Sequence, residues 1–528
     1  MARPRVLISD AMSSEASAVF ESRGVEVVQS AKMSAEELAN IIGEFDGLAV
    51  RSSTKVTPEL LSKAKRLKVV GRAGIGVDNI NVASCTERGI VVMNTPFGNA
   101  ITTAEHTLAM IFALSRHIPQ ANASTHEGLW EKSKYMGSEI SGKLLGIIGA
   151  GNIGSIVAQK AIGIGMRVQA YDPFLSEERA DVLGIKKVEL EELFATSDIV
   201  SLHVPKTPET TNIIDATALN KMKKGSLLIN CARGGLVDEK ALRVALESGH
   251  LKGAALDVFE SEPAKENILF GLPNVICTPH LGASTREAQE KVAVQVAEQM
   301  SEYLLEGAIT NALNAPNLTA EEARQLAPYL KLADNLGAFA GQLMPDPITS
   351  IIVSFSGDVT RLNTEPLVTK AVQAIIGPSL CNVNAVNAQQ VARDMGVDIT
   401  ASHNEVDDEF HNRVTLIVKT DNGKATVSGT VFKKVGRLVD IRGVKLESEF
   451  GEHMLYLTND DRPGVVGLVG AFTEKHNINI ANMHLGRNEG DGEAIALLEV
   501  DQPVAPELLA ELRASDRIRE VESMRFTV

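Results

Sequence analysis

Cysteine is scarce in this chain. The 528 residues hold four, Cys85, Cys231, Cys277 and Cys381, and no two stand in a Cys-x-x-Cys spacing. That argues against a disulfide framework or a zinc ribbon, gives no metal site to propose, and suits a reducing cytoplasm. Long apolar runs are missing as well: none approaches the ~20 residues of a membrane-spanning helix. Near the N-terminus only Val6, Leu7 and Ile8 precede Ser9 and Asp10, too few for a secretory signal, so the expectation is a chain neither exported by that route nor anchored in a membrane. Positive charge is in deficit. Lys and Arg number 52 against 67 Asp and Glu, a net charge of −15, and so acidic a surface repels polyphosphate backbones; nucleic acid is not an expected partner. Internal repeats and low-complexity tracts are also absent. What remains is an ordinary globular composition, 44% hydrophobic and 23% charged, on a chain too long for one core.

From residue 5 to about 94, short apolar runs at 6–8, 25–28, 47–50, 68–70 and 90–93 alternate with helix-like stretches. That is the rhythm of βαβ units and predicts a parallel sheet. Residues 102–116 have helical apolar spacing and read as a connector into a second alternating series, with candidate strands at 143–148, 167–171, 199–203, 226–230, 253–258 and 274–277. Six such units predict a second doubly wound domain. Residues 284–305 read as one long helix returning the chain to the first domain, ahead of the polar stretch 311–317. Beyond it, 351–359 and 432–440 read as strands of a separate α+β module. From about 452, a strand at 454–458, a turn at Asp461, Arg462, Pro463 and Gly464, a helix at 465–475 and strands near Asn482 and at 493–500 give a βαββαβ pattern.

The sequence Gly149-Ala150-Gly151-Asn152-Ile153-Gly154 follows an apolar strand and opens a helix, and Asp172 ends the next strand. The first glycine permits a tight turn, the second lets a pyrophosphate approach the backbone, the third allows close helix packing, and the helix N-terminus attracts phosphate. Asp172 suits ribose hydroxyls and opposes a 2′-phosphate. With no arginine in 173–176, the expected cofactor is NAD and not NADP. Three reactive residue types then fall at carboxyl ends of strands, where open parallel sheets bind ligands: Arg233, Glu262 with Asp257, and His280. Singly, these read as a surface charge, a loop acid and a turn histidine. Jointly, they supply a cation for a carboxylate, a base for a hydroxyl proton and a group that orients the base, the set that hydride transfer from a hydroxy acid requires.

The blocks at 230–238, 257–263 and 278–285, with 50–56, 71–78 and 93–96 upstream, resemble the signature blocks of the D-2-hydroxyacid dehydrogenases over roughly residues 1–315. The tail resembles the long form of the members that oxidise 3-phosphoglycerate, with an intervening domain and a small regulatory ACT domain. The fold class so implied is α/β: a flavodoxin-like substrate domain (1–98 and 287–316) and a Rossmann NAD domain (99–286), followed by two α+β domains (317–452 and 453–528), the last ACT-like. The resemblance implies Arg233, Glu262 and His280 as catalytic residues, with Arg233 pairing with the substrate carboxylate, His280 taking the C2 hydroxyl proton and Glu262 holding the imidazole. It implies a cofactor lined by Gly149, Gly151, Asn152, Ile153, Gly154, Asp172, Cys231, Ala232, Arg233, Asp257, His280, Gly282 and Ala283, with Asp257 either fixing the nicotinamide carboxamide or capping the loop that follows it. Candidates for the substrate phosphate are Arg51, Arg72, an amide near Gly74, and Lys132 and Lys134. The lysines lie beside Trp130 and read either as a solvated charged turn or as a dimer contact reaching a neighbour's site. A homo-oligomer, dimer or tetramer, is expected, with 3-phosphoglycerate as substrate in serine biosynthesis and L-serine as an effector held by Asp461 and Asn479. Some relatives carry a histidine where this chain has Thr458, Asn459 and Asp460, which leaves the effector's identity open. A reductase of glyoxylate or hydroxypyruvate and a dinucleotide-sensing corepressor are the alternatives on the same fold.

Overall fold

The computed structural model describes residues 3–527 apart from 32, 345, 381–382, 405–409 and 488–491; Cys381 lies outside the described residues. The chain forms four sheets. The first comprises β1 (Arg5–Ile8), β2 (Glu26–Gln29), β3 (Gly47–Val50), β4 (Val69–Arg72) and β5 (Val91–Met93), all parallel, in the order β2-β1-β3-β4-β5. This is the flavodoxin-like order. β3 and β5 are buried at every position, as strands covered on both faces must be, which is why they read as unbroken apolar runs.

The second sheet comprises β6 (Leu144–Ile148), β7 (Arg167–Tyr171), β8 (Lys186–Lys187), β9 (Ile199–Leu202), β10 (Leu227–Asn230), β11 (Gly253–Leu256) and β12 (Val275–Cys277), in the order β12-β11-β10-β9-β6-β7-β8. This is the dinucleotide-binding order extended by one strand, with its direction of winding reversed between β6 and β9, where a crevice forms. Two helices join the sheets: Ala100–Ser115 leads out of the first, and Arg286–Glu306 leads back. The returning helix starts at a Thr285 side-chain cap and ends at Gly307 in the left-handed region (φ 75°). Its Met300 is fully buried against the first sheet, where glycines make room: a Cβ at Gly71 would stand 2.3 Å from the Met300 sulfur and one at Gly47 3.0 Å from its methyl.

The third sheet comprises β13 (Ile348–Gly357), β14 (Asp398–Asn404), β15 (Asn412–Thr420), β16 (Lys424–Phe432), β17 (Val435–Ile441) and β18 (Val444–Glu449), in the order β14-β13-β15-β16-β17-β18. The strand expected at 432–440 is present from Val435 as β17, but its first three residues form the corner of a hairpin. Phe432 closes β16 opposite Val435, and Lys433 and Lys434 turn the chain with φ of 48° and 68°. Two consecutive left-handed residues match the right-handed twist of a hairpin, but glycine and asparagine are the usual signal for that turn, and lysine gives none. Helices Ala320–Leu343 and Glu365–Ile376 cover the sheet.

The fourth sheet comprises β19 (His453–Asp460), β20 (Ile480–Arg487), β21 (Glu493–Val500) and β22 (Ile518–Arg525), antiparallel in the order β20-β21-β19-β22, with helices Val465–Lys475 and Pro506–Arg513 on one face. Its other face is covered in part by the third unit. Tyr456, Ile495, Leu497 and Met524 share one core with Leu446, Phe450 and Phe339 of the third unit, and the Phe339 and Tyr456 rings meet edge to face at 5.8 Å. The architecture agrees with the expected class. Among the described residues, no helix is long and apolar enough to cross a membrane.

Because Met300 fills the space that Gly47 and Gly71 leave, Met300→Ala should cost the first sheet about 2–5 kcal/mol. Amide exchange should quicken in β3 and β4 while β6 and β9 keep their protection. Unchanged exchange in β3 and β4 would mean that the returning helix does not stabilise the first sheet.

Candidate active site

At the end of β6 the three glycines meet three different demands. Gly149 sits at φ 95°, and Gly154 lies so near it that a Cβ would fall 2.0 Å from the Gly149 carbonyl oxygen. Gly151, at the N-cap of helix Asn152–Gly163, has nothing within 4 Å of its missing side chain. Gly149 and Gly154 are fixed by the fold; Gly151 leaves open the ground that a pyrophosphate would occupy. Asn152 is exposed and Ile153 half-buried. Across the turn, Asp172 accepts the Ala150 amide at 2.8 Å and the Phe174 amide at 2.8 Å, so this carboxylate also fixes the loop.

The ends of β10, β11 and β12 gather the reactive residues. Buried Asn230 accepts the Ala232 amide (3.1 Å) and donates to the Arg233 carbonyl (2.9 Å), curling the loop that presents Arg233. The guanidinium reaches the first domain, pairing with Asp78 through Nε at 3.2 Å and passing so close to Gly76 that a Cβ there would stand 1.9 Å from Nη2. His280 occupies the left-handed region at φ 56° and donates its amide to the Asp257 carbonyl at 2.9 Å. Its Nδ1 meets Glu262 Oε2 at 2.7 Å, while Oε1 accepts the Phe259 amide at 3.0 Å. With Nδ1 donating to Glu262, Nε2 is left to accept a proton. The bond to Glu262 raises the His280 pKa; burial and the charge of Arg233 pull the other way and lose.

Beneath this pair lies Asp257, wholly buried. Oδ1 accepts from Thr278 Oγ1 (2.6 Å) and the Leu281 amide (2.7 Å), Oδ2 accepts from the Gly282 amide (2.7 Å), and His106 Nε2 lies 3.3 Å from Oδ1. Burial would raise its pKa, yet the bonds from His106, Thr278 and the two amides hold it below the usual carboxylate range. The Cys231 thiol is packed in the core, pushed up to about 12 by burial and by the Asp257 charge, and Ala232 is buried beside it. These two residues therefore offer a ligand only backbone.

Facing the triad, Arg51 and Arg72 stand at the ends of β3 and β4. Arg51 donates to the Ala11 carbonyl at 3.1 Å and Arg72 to Asn79 Oδ1 at 3.3 Å. Arg72 is pushed down to about 10, first by burial and then by the charge of Arg233, with Arg51 adding to it. Three cations thus share one field, opposed by Asp78 and Asp10.

Residues 108–282 match the profile of the D-isomer specific 2-hydroxyacid dehydrogenase NAD-binding domain, and residues 325–442 that of the D-3-phosphoglycerate dehydrogenase intervening domain. The chain is 42% identical to the D-3-phosphoglycerate dehydrogenase of Bacillus subtilis, over 96% of this chain and 97% of that protein. It is also 42% identical to the enzyme of that name from Synechocystis, over 94% and 90%. The chain belongs to the D-3-phosphoglycerate dehydrogenase family. Among solved structures, D-lactate dehydrogenase from Aquifex aeolicus, complexed with NAD and lactic acid, covers 59% of this chain and 100% of its own at TM-score 0.53 and 29% identity.

Not every residue expected of a D-3-phosphoglycerate dehydrogenase family member is gathered here. The Gly74 amide is not a free donor, because it donates to Thr95 Oγ1 at 2.7 Å in a buried position. Lys134 pairs with Glu131 at 3.0 Å, and Lys132 is exposed on the same loop; neither contacts Arg51, Arg72 or Arg233 among the described residues. Asp461 and Asn479 stand at opposite ends of the fourth sheet. β19 runs out at Asp460 opposite Glu493, so Asp461 meets Arg487 (3.4 Å), whereas Asn479 precedes β20 and binds Asp501 (2.9 Å) beyond the end of β21. The sequence reasoning also passed over Asp78, Asn79, Thr95 and His106 as working residues. Asp78 ends the block 71–78 that carried the resemblance, and Asn79, which donates to the Arg51 and Thr54 carbonyls, follows it directly.

The Glu262 pKa is lowered: burial opposes ionisation and the bond from His280 prevails. A lowered acid stabilises above its unfolded pKa of about 4.3, and a raised histidine below its unfolded pKa of about 6.5, so the pair contributes most between those values and is lost outside them. Both side chains are more than a third exposed or close to it, so the contribution is small. In Glu262→Gln the His280 pKa should fall, because burial and Arg233 then act unopposed by the hydrogen-bonded charge. Histidine-selective NMR titration measures it. An unchanged value would mean that the pair is not coupled.

Proposed function

We propose that this chain oxidises 3-phosphoglycerate to 3-phosphohydroxypyruvate with NAD, the first step of L-serine biosynthesis. The observation that carries the reading is the field shared by Arg51, Arg72 and Arg233 opposite the Glu262–His280 pair, since three cations outnumber Asp78 and Asp10 and a substrate with a carboxylate and a phosphate supplies the further anions that such a field attracts. Arg233 pairs with the substrate carboxylate; Arg51 and Arg72 take the phosphate. His280 Nε2 accepts the C2 hydroxyl proton, and Glu262 stabilises the imidazolium that results. Bound NAD would supply the acceptor for the C2 hydride. The open ground at Gly151 and the partly exposed Asp172 fit its pyrophosphate and adenosine ribose, and the buried Asp257 carboxylate holds the Leu281 and Gly282 amides of the loop beside it.

The four sheets support a division into residues 1–98 with 287–316, 99–286, 317–452 and 453–528. Trp130 and Met136, 87% and 77% exposed, flank Lys132 and Lys134 and suit burial against a second copy of the chain, whose site the lysines would then approach. The unpaired thiols of Cys85, Cys231 and Cys277 fit a cytoplasmic setting. L-Serine is the effector in this reading, and sheet register explains how two distant residues would share it. β20 is an edge strand parallel in direction to β19, so antiparallel pairing of β20 with its copy about a two-fold axis carries the copy's Asn479 to the end where Asp461 stands.

Steady-state assays with NAD at alkaline pH should give turnover with 3-phosphoglycerate far above that with glycerate or lactate. A preference for the unphosphorylated acids would replace this reading with that of a glyoxylate or hydroxypyruvate reductase. His280→Ala should lose roughly 10²–10⁴-fold in kcat while NADH affinity stays nearly constant; a near-normal kcat would remove His280 from the base role. L-Serine should inhibit the native enzyme, and Asp461→Ala or Asn479→Ala should each abolish that inhibition, read from initial rates over a serine titration. Equal inhibition of native and variant enzymes would place the effector elsewhere.

A further inference from the structure

A pocket of about 330 Å³ lies where the third and fourth units meet, away from every residue of the reaction. One wall is helix Ala320–Leu343, presenting Asp334, Asn335 and Ala338. A second is the last turn of helix Glu365–Ile376, with Gln373 and Ala374, and a third is Arg525 at the end of β22. The space follows from how the helices cross. A Cβ at Gly337 would stand 2.6 Å from the Ala371 carbonyl oxygen and one at Gly341 2.9 Å from that of Ile375, so the backbones touch on glycine. Beside that crossing Ala338 and Ala374 are too short to close the gap.

The lining is built to receive a polar molecule. Asn335 is only 5% exposed as a residue, and it lines the pocket; its side-chain amide is not among the sealed polar atoms and is open to a ligand there. Opposite charges face the same space from different units. Asp334 pairs with Lys370 at 3.2 Å through Oδ1, which leaves Oδ2, and Arg525 pairs with Glu452 through one nitrogen at 3.3 Å, which leaves the rest of its fork. Arg525 is also held in place: its amide donates to Gln342 Oε1 (3.0 Å) and its carbonyl accepts from Gln342 Nε2 (3.2 Å).

We propose that this pocket binds a free α-amino acid, with the ligand carboxylate on Arg525 and Gln373 and its ammonium on Asp334 and the Asn335 carbonyl oxygen. One cation and one anion at separate walls suit a zwitterion better than a bare phosphate or a polyamine, and the volume leaves room for a side chain. Such a ligand would bridge the helices of the third unit to the last strand of the fourth. The pocket is distinct from the Asp461 and Asn479 positions, because β22 and β20 are opposite edges of their sheet.

Saturation-transfer NMR on the full-length protein with a mixture of the common amino acids identifies the ligand, and equilibrium dialysis with the labelled hit measures its affinity. Asn335→Leu, which keeps the branched shape without the amide, and Arg525→Gln, a change at an exposed side chain, should each weaken binding at least about tenfold, while Asp461→Ala leaves it intact. No hit at millimolar concentration, equal affinity in both pocket variants that retain the native thermal midpoint, or a hit lost only in Asp461→Ala would overturn the proposal.

Discussion

The Asp257 carboxylate sits under the whole reactive surface. It is buried, kept ionised by the donors that surround it, and joined to three separate parts of the chain: His106 on the helix leaving the first sheet, Thr278 after β12, and the amides of Leu281 and Gly282. Its backbone carbonyl takes the His280 amide as well. The histidine therefore stands in a left-handed conformation that its own side chain does not favour, held by a charge that cannot leave without abandoning buried donors. Orientation of the imidazole by Glu262 has meaning only because the backbone beneath it is fixed in this way. Burial and the same charge keep Cys231 a neutral thiol, so one buried anion both fixes the loop that carries His280 and holds a proton on a neighbouring sulfur.

The parallel sheets were legible in the sequence because buried strands announce themselves. β1, β3, β5, β9 and β10 are short apolar runs with nothing else they could be, and the glycine turn after β6 carries its own spacing. β8 escaped because Lys186 and Lys187 form an edge strand too short and too polar to register. The hairpin at Lys433 and Lys434 escaped because its turn chemistry is unconventional. The triad was legible as three residue types at strand ends, but the partners that set it were not: Asp78 reaches Arg233 across the cleft, and nothing local to either residue reports that contact. Asp461 and Asn479 illustrate the same limit. They lie close in sequence on either side of one helix, and only strand register reveals that β19 and β20 carry them to opposite ends of a sheet.

The fourth unit follows a βαββαβ order that elsewhere could stand with one sheet face in water. Here that face shares a core with the third unit, through Phe339, Phe450, Tyr456 and Phe526. Apolar contact of this extent does not slide freely, so displacement of the last sheet must move helix Ala320–Leu343 with it. That helix begins just past the chain's return to the first sheet, which gives events at the far end of the molecule a mechanical route toward the cleft.

The Arg233–Asp78 pair has a further consequence. Asp78 meets Arg233 only through Nε and the Ala232 carbonyl takes Nη1, so among the described residues Nη2 keeps its donors while the pair ties one domain to the other across the cleft. Asp78 is well exposed, so the pair contributes little to stability. Salt screens a pair of this kind, so the tie between the two domains loosens as ionic strength rises.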